Sequence, residues 1–201
     1  MKVGTASRAR PRRTAAIPPS SPSGITSIAP VTRHVSANVR ALPAVRSARL
    51  TDVPAIAALI NGFAESRVML PKSAEAIALA IDDFVVAIDG HGRLLGCGAL
   101  KEYSPSLAEV SSIAVSARAH GGGIGSALVR GVERLAKARG TGELFALTLT
   151  PRFFESLGYD VVDRAQFPEK VRRDCVACPR RTACEEICVY RHLSEVTIRA
   201  A

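Results

Sequence analysis

The sequence predicts an α+β domain built on a mixed sheet. Three observations carry that expectation: helical spacing comes first, a meander of short apolar strands follows, and a strand–helix–strand–helix–strand succession ends the pattern. Thr51 or Asp52 caps a first helix in which Val53, Ile56, Ile60 and Phe63 recur at helical spacing, with Pro54 tolerated in the first turn and Gly62 weakening the end. Ser73 caps a second, shorter helix through Ile77 and Ile81. The period then changes. Phe84 to Ile88 and Leu94 to Leu100 are apolar runs separated by Asp89-Gly90-His91-Gly92, which favours a tight turn between antiparallel strands. A third strand, Ala108 to Val115, runs into a glycine cluster and then a helix striped by Ile124, Leu128, Val132 and Leu135. Lys137 and Arg139 suit the negative end of that helix, and Gly140 ends it. Leu144 to Thr148 reads as a buried strand, Phe153, Phe154 and Leu157 as a short helix stopped by Gly158, and Tyr159 to Val162 as a last strand.

At 201 residues and 47% apolar content, the chain has the material for one domain core and an extension. Charge is uneven: residues 1–50 carry nine Lys or Arg and no Asp or Glu, whereas the remainder carries eighteen of each sign. The net charge of +9 therefore belongs to the leader, and the high pI is no argument for nucleic-acid binding. The leader, placed at residues 1–44, is rich in Arg, Ser, Pro and Ala and is expected to be disordered. It has neither the apolar h-region of a secretory signal nor a membrane span. Its composition fits an organelle transit peptide, the alternatives being a bacterial tail or an upstream start codon. The expected location is intracellular: cytoplasmic if bacterial, plastid or mitochondrion if the leader is a transit peptide. No nucleic-acid or membrane partner is expected, and a homodimer is left open.

The chemistry concentrates in Glu109-Val-Ser-Ser-Ile-Ala-Val115 and the following His120-Gly-Gly-Gly-Ile-Gly-Ser126. A glycine-rich turn between strand and helix aims backbone N–H groups at the positive end of the helix dipole, an arrangement suited to a diphosphate. Tight packing of strand on helix demands glycine as well, so the turn alone is weak evidence. A dinucleotide fold is disfavoured, because several strands precede the turn and no acidic ribose partner follows on its own strand.

The segment His120-Gly121-Gly122-Gly123-Ile124-Gly125-Ser126 resembles the pyrophosphate loop of the GNAT-superfamily N-acetyltransferases, with His120 at a position usually held by Arg or Gln. Further stretches resemble the short amino-acid N-acetyltransferases related to N-acetylglutamate synthase: Val68 to Ser73, Gly96 to Leu100, Ala108 to Val115, Leu144 to Thr148, Phe153 to Tyr159 and Phe167 to Lys170. The likeness covers about residues 45–162. It implies a GNAT fold, a mixed and mostly antiparallel sheet flanked by helices, over residues 45–165. Acetyl-CoA is the implied cosubstrate, with its diphosphate on the loop and its pantetheine arm paired to the backbone of Ile113, Ala114 and Val115. The implied reaction is acetyl transfer to the α-amine of an amino acid, first among them L-glutamate, as in arginine biosynthesis.

Such transfer needs a neutral amine, so a base must take its proton. Glu109, which matches the family's acidic residue on this strand, is the candidate catalytic group. Phe154 stands where many relatives carry the Tyr that protonates the leaving thiolate, and no general acid is assigned. The acceptor's carboxylates call for cations, and Lys72, Lys101 and Arg152 are the candidates.

Cys175-x2-Cys178-x5-Cys184-x3-Cys188 forms a second constellation, in a cysteine-rich C-terminal extension over residues 166–201. Four thiolates in so short a span suit a structural zinc site, and an iron–sulfur cluster fits the spacing less well. Two rival readings stand beside the amino-acid acetyltransferase: an enzyme acting on another small amine or modified amino acid, and a metal-dependent interaction module with a degenerate GNAT site.

Overall fold

The structure is a computed structural model and describes residues 43–193. The leader and its transit-peptide reading lie outside the described residues. Seven strands form one sheet in the order β1-β2-β3-β4-β5-β7-β6. They are β1 (Ala44–Ser47), β2 (Phe84–Ile88), β3 (Leu94–Glu102), β4 (Leu107–Val115), β5 (Glu143–Thr148), β6 (Asp160–Val161) and β7 (Ile187–His192). Only β4 and β5 pair in parallel; every other neighbour is antiparallel.

Helices α1 (Val53–Glu65) and α2 (Ala74–Leu79) cover one face, and α3 (Ile124–Ala138) covers the other. Strand alternation makes this sandwich. On β2, Phe84 and Val86 pack with Ile56, Ile60 and Ile77, while Val85 and Ala87 pack with Leu128, Val129 and Val132. A smaller cluster of Phe145, Phe167 and Cys188 lies beneath the C-terminal segment.

Local chemistry explains the element ends. Ser73 Oγ accepts from the Ala76 N–H at 3.1 Å and caps α2. The β2–β3 turn is held by Asp89 Oδ1, which accepts from the N–H groups of His91 and Arg93. Helix α1 departs from the capping expectation. Asp52 makes no side-chain cap; its carboxylate instead takes both guanidinium nitrogens of Arg46 and the Arg49 N–H.

Two strands exceed the sequence reading. β1 is four residues long, and β7 enters between β5 and β6, so the cysteine-rich segment is woven into the sheet. Short helix α4 (Pro151–Glu155) follows β5, and a helical stretch begins at α5 (Pro168–Lys170) and widens to a π turn over Val171–Cys175.

Candidate active site

Two strands that part company create the site. β4 and β5 pair over only three residues, Leu107↔Glu143, Ala108↔Leu144 and Glu109↔Phe145, although β4 continues to Val115 and β5 to Thr148. Beyond Glu109 the β5-facing edge of β4 has no strand partner, so its backbone groups are available to an extended ligand arm. A bulge bends β4 at this point. The register with β3 steps from Cys97↔Ala114 to Ala99↔Ser111, and Ser112 takes a positive φ of 53°. Gly98 lies opposite, and a Cβ there would stand 2.5 Å from Ile113 Cδ1; only glycine leaves Ile113 its place.

At the far end of β4, a turn delivers His120 to Gly123 to the start of α3. Gly123 caps the helix in the left-handed region, φ 73°, and no side chain covers the helix N-terminus. The first-turn N–H groups of Ile124, Gly125 and Ser126 thus lack intrahelical acceptors and face outward with the dipole. Gly121 also has positive φ, 75°, with open space around it, and a Cβ on Gly122 would stand 3.6 Å from the Ala119 carbonyl oxygen. Gly125 is closed on its other side by the Phe153 ring of α4, 3.2 Å from where its Cβ would be. His120 does not reach toward the loop's centre. Its Nε2 lies 2.8 Å from the Val115 carbonyl, which only accepts, so Nε2 carries the proton and the ring ties the turn to the strand end.

A cavity of about 700 Å³ occupies the opening between β4 and β5 and extends beneath the α1–α2 connection and the C-terminal segment. Glu109 sits in its wall, 5% exposed. Tyr103 donates to Glu109 Oε2 at 2.8 Å and Lys170 donates to the same oxygen at 2.9 Å. Oε1 has no partner among the described residues. Glu109 lines the cavity.

Asp174 completes the cluster: it accepts from Lys101 at 2.6 and 2.7 Å and from Lys170 at 2.9 Å, and it also lies within reach of the Tyr103 hydroxyl, whose single proton serves one of the two carboxylates at a time. Burial opposes ionisation of Asp174, but the hydrogen bonds from Lys101, Tyr103 and Lys170 win and hold its pKa well below the usual carboxylate range. Burial and the Glu109 charge push Tyr103 far up, so it stays a phenol and a donor. Lys170 loses solvation, yet Glu109 and Asp174 raise its pKa and keep it an ammonium.

The other expected site residues are divided. Lys72 lines the cavity, its backbone clasped by the Asn61 side chain at 3.0 and 3.1 Å. Desolvation and the Lys101 charge lower its pKa. Lys101 also lines the cavity, but its charge is committed to Asp174. Arg152 is exposed on α4 and does not line the cavity. Tyr103, Lys170 and Asp174 went unassigned in the sequence. Lys170 ends one of the stretches that resembled the synthase-like branch, and Asp174 directly precedes Cys175; those were the available signals, and Tyr103 offered none.

The zinc reading finds no support. Among the described residues no group of three or more His, Cys, Asp or Glu is arranged to hold a metal ion, and all five cysteines are unpaired thiols. Cys188 is on β7, buried against Phe145 and Phe167, where a strand's geometry keeps its thiol in the core. Cys175, Cys178 and Cys184 instead help to wall the cavity.

Residues 58–159 match the Acetyltransferase (GNAT) family. A Chlorobaculum tepidum protein described as an uncharacterized N-acetyltransferase is 42% identical over 149 residues, 74% of this chain and 96% of its own length. The amino-acid acetyltransferase of Neisseria meningitidis is 34% identical over 136 residues, 67% of this chain; the chain spans only 31% of that relative. N-acetylglutamate synthase from Neisseria gonorrhoeae, solved with coenzyme A and N-acetyl-glutamate, superposes with a TM-score of 0.69 at 30% identity over 77% of this chain and 36% of its own. Strand divergence at a β4 bulge, a bare helix N-terminus beside it and these likenesses lead to one conclusion: the chain belongs to the GNAT acetyltransferase family and is an acyltransferase.

Proposed function

We propose that the chain transfers the acetyl group of acetyl-CoA to the α-amine of an acidic amino acid, L-glutamate first. The observation that carries this reading is Glu109, a nearly buried carboxylate in the wall of a cationic cavity, with one oxygen that has no hydrogen-bond partner among the described residues. Lys72, Arg164, Arg173 and Arg181 line that cavity, and none of the four forms an ion pair among the described residues. Cations without a carboxylate of their own are suited to an acceptor with two. The Neisseria gonorrhoeae structure with N-acetyl-glutamate supports the same acceptor class.

In this mechanism the N–H groups at the start of α3 hold the diphosphate, and the unpaired edge of Val110 to Val115 holds the pantetheine arm. Acetyl-CoA supplies the thioester carbonyl. Glu109 Oε1 takes the ammonium proton, directly or through water; the amine nitrogen then bonds to the carbonyl carbon, the C–S bond breaks, and the second proton shed by the nitrogen passes to the departing thiolate or to water. No acid is required of Phe154, because a thiol with a pKa of about 8.5 leaves readily as thiolate. The metal-dependent module gives way to an enzyme once the family is established.

A screen of free amino acids by thiol release tests the acceptor. Glutamate and aspartate should exceed glutamine and leucine in kcat/KM, and Lys72→Met should raise KM for the acceptor by roughly tenfold while leaving KM for acetyl-CoA unchanged. Equal use of neutral and acidic acceptors would overturn the acidic assignment.

A further inference from the structure

We propose that Asp174, delivered by the C-terminal segment, is a positioning residue for Glu109: it holds the Lys170 ammonium and the Tyr103 hydroxyl against Oε2, so that Oε1 is left to receive the amine proton. The inference rests on Glu109 serving as the base. Lys170 and Asp174 stand four residues apart on the helical stretch after Phe167, which brings both side chains to one side. That stretch is anchored where it matters. Phe167 stacks on Phe145 with centroids 4.5 Å apart, and Phe145 is the β5 residue directly paired with Glu109. Tyr103 comes from the other direction, at the end of β3, and its ring packs 5.4 Å from Phe145.

Two donors on one carboxylate oxygen would be free to swing without a second acceptor. Asp174 provides it: Lys170 donates to both carboxylates and so bridges them, while the Tyr103 hydroxyl lies between Glu109 Oε2 and Asp174 and gives its one proton to one of them at a time. It also takes both short contacts from Lys101, which keeps that ammonium away from Glu109. Among the described residues the charged or titratable groups around Glu109 include Tyr103 and Lys170, which touch it, Lys101 on β3 and Asp174, which pair with each other, Arg173 over the Tyr103 ring, Lys72 before α2, and Cys188 on β7. Both Lys170 and Asp174 lie beyond residues 58–159 that match the family, so this chain completes its base with residues of its C-terminal segment.

Asp174→Asn and Asp174→Glu in the full chain test the proposal. Asp174→Asn should lower kcat by roughly tenfold or more, a share of the 10²-fold scale for losing a base, with KM for acetyl-CoA unchanged. The acid limb of kcat/KM should move to lower pH, because a negative charge beside the base has been removed. Asp174→Glu should recover part of both effects. A second readout needs no turnover and so survives a failure of the acceptor assignment: in protein labelled with 13C at the glutamate carboxyl carbons, the Glu109 resonance, identified by its loss in Glu109→Gln, should shift in Asp174→Asn. A lowered melting temperature with an unmoved resonance would make Asp174 a structural clasp only and overturn the proposal. So would an unmoved pH profile in an enzyme that turns over.

Discussion

Burial raises the thiol pKa of Cys97, Cys188 and Cys175, and most strongly that of the first two. Desolvation pushes Cys97 up to about 12 and Cys188 up to about 11, so at pH 8 both stay protonated and hidden. Cys175, Cys178 and Cys184 are half-buried at the cavity wall. Native protein treated with iodoacetamide at pH 8 should therefore be alkylated first at these three, as read by peptide mass spectrometry; early labelling of Cys188 would mean that β7 is not held in the sheet. Residue identity was legible where chemistry is local. Glu109 and Lys72, singled out by type and position, line one cavity, and Tyr159 is a core residue whose hydroxyl donates to Glu133 at 3.2 Å. Arg152 was misplaced because nothing in Pro151-Arg152-Phe153-Phe154 says which face of so short a helix packs inward; Phe154 does, at 4% exposure. Asp174 and Tyr103 were missed because their role exists only across about seventy residues of chain.

Element boundaries followed periodicity closely wherever a strong apolar stripe existed. α1, α2, α3 and the strands β2 to β5 fall within a few residues of their expected ends. β1 and β7 escaped for the opposite reason. Ala44–Ser47 offers four residues beside a basic leader, and Ile187–His192 follows four cysteines that draw attention to metal chemistry. The best-defined element is α3, whose Leu128, Val129 and Val132 are fully buried against the sheet. Leu128→Ala should destabilise the fold by about 2–5 kcal/mol, the usual range for emptying such a site. Its loss should be visible in urea unfolding as a lower midpoint. Gly123→Val addresses the other end of the same helix. A β-branched residue at φ 73° is strained, and the first-turn N–H groups would lose their open approach, so acetyl-CoA affinity should fall severely while the core stays formed. Isothermal titration on protein with native circular dichroism checks this, and retained affinity would place the diphosphate elsewhere.

At the scale of the molecule, one sheet joins the GNAT-like part to the C-terminal segment, and Glu109 lies at their junction. Acid should act there early. Because folding lowers the pKa of Asp174, its stabilising contribution is complete above the ordinary carboxylate value of about 4 and is lost as pH falls toward the lowered one. Melting temperature should decline between about pH 4 and pH 2 more steeply in wild type than in Asp174→Asn, and parallel curves would deny the linkage. The central claim is that Glu109 is the base of an acetyl transfer, and kcat/KM against pH for wild type and Glu109→Gln tests it most directly. The amide is nearly isosteric and the diphosphate contacts lie at the other end of β4, so acetyl-CoA affinity should persist. Turnover should fall by about 10²-fold or more near neutral pH. The defect should shrink as pH rises and more acceptor arrives already deprotonated; profiles that run parallel at every pH would contradict the assignment.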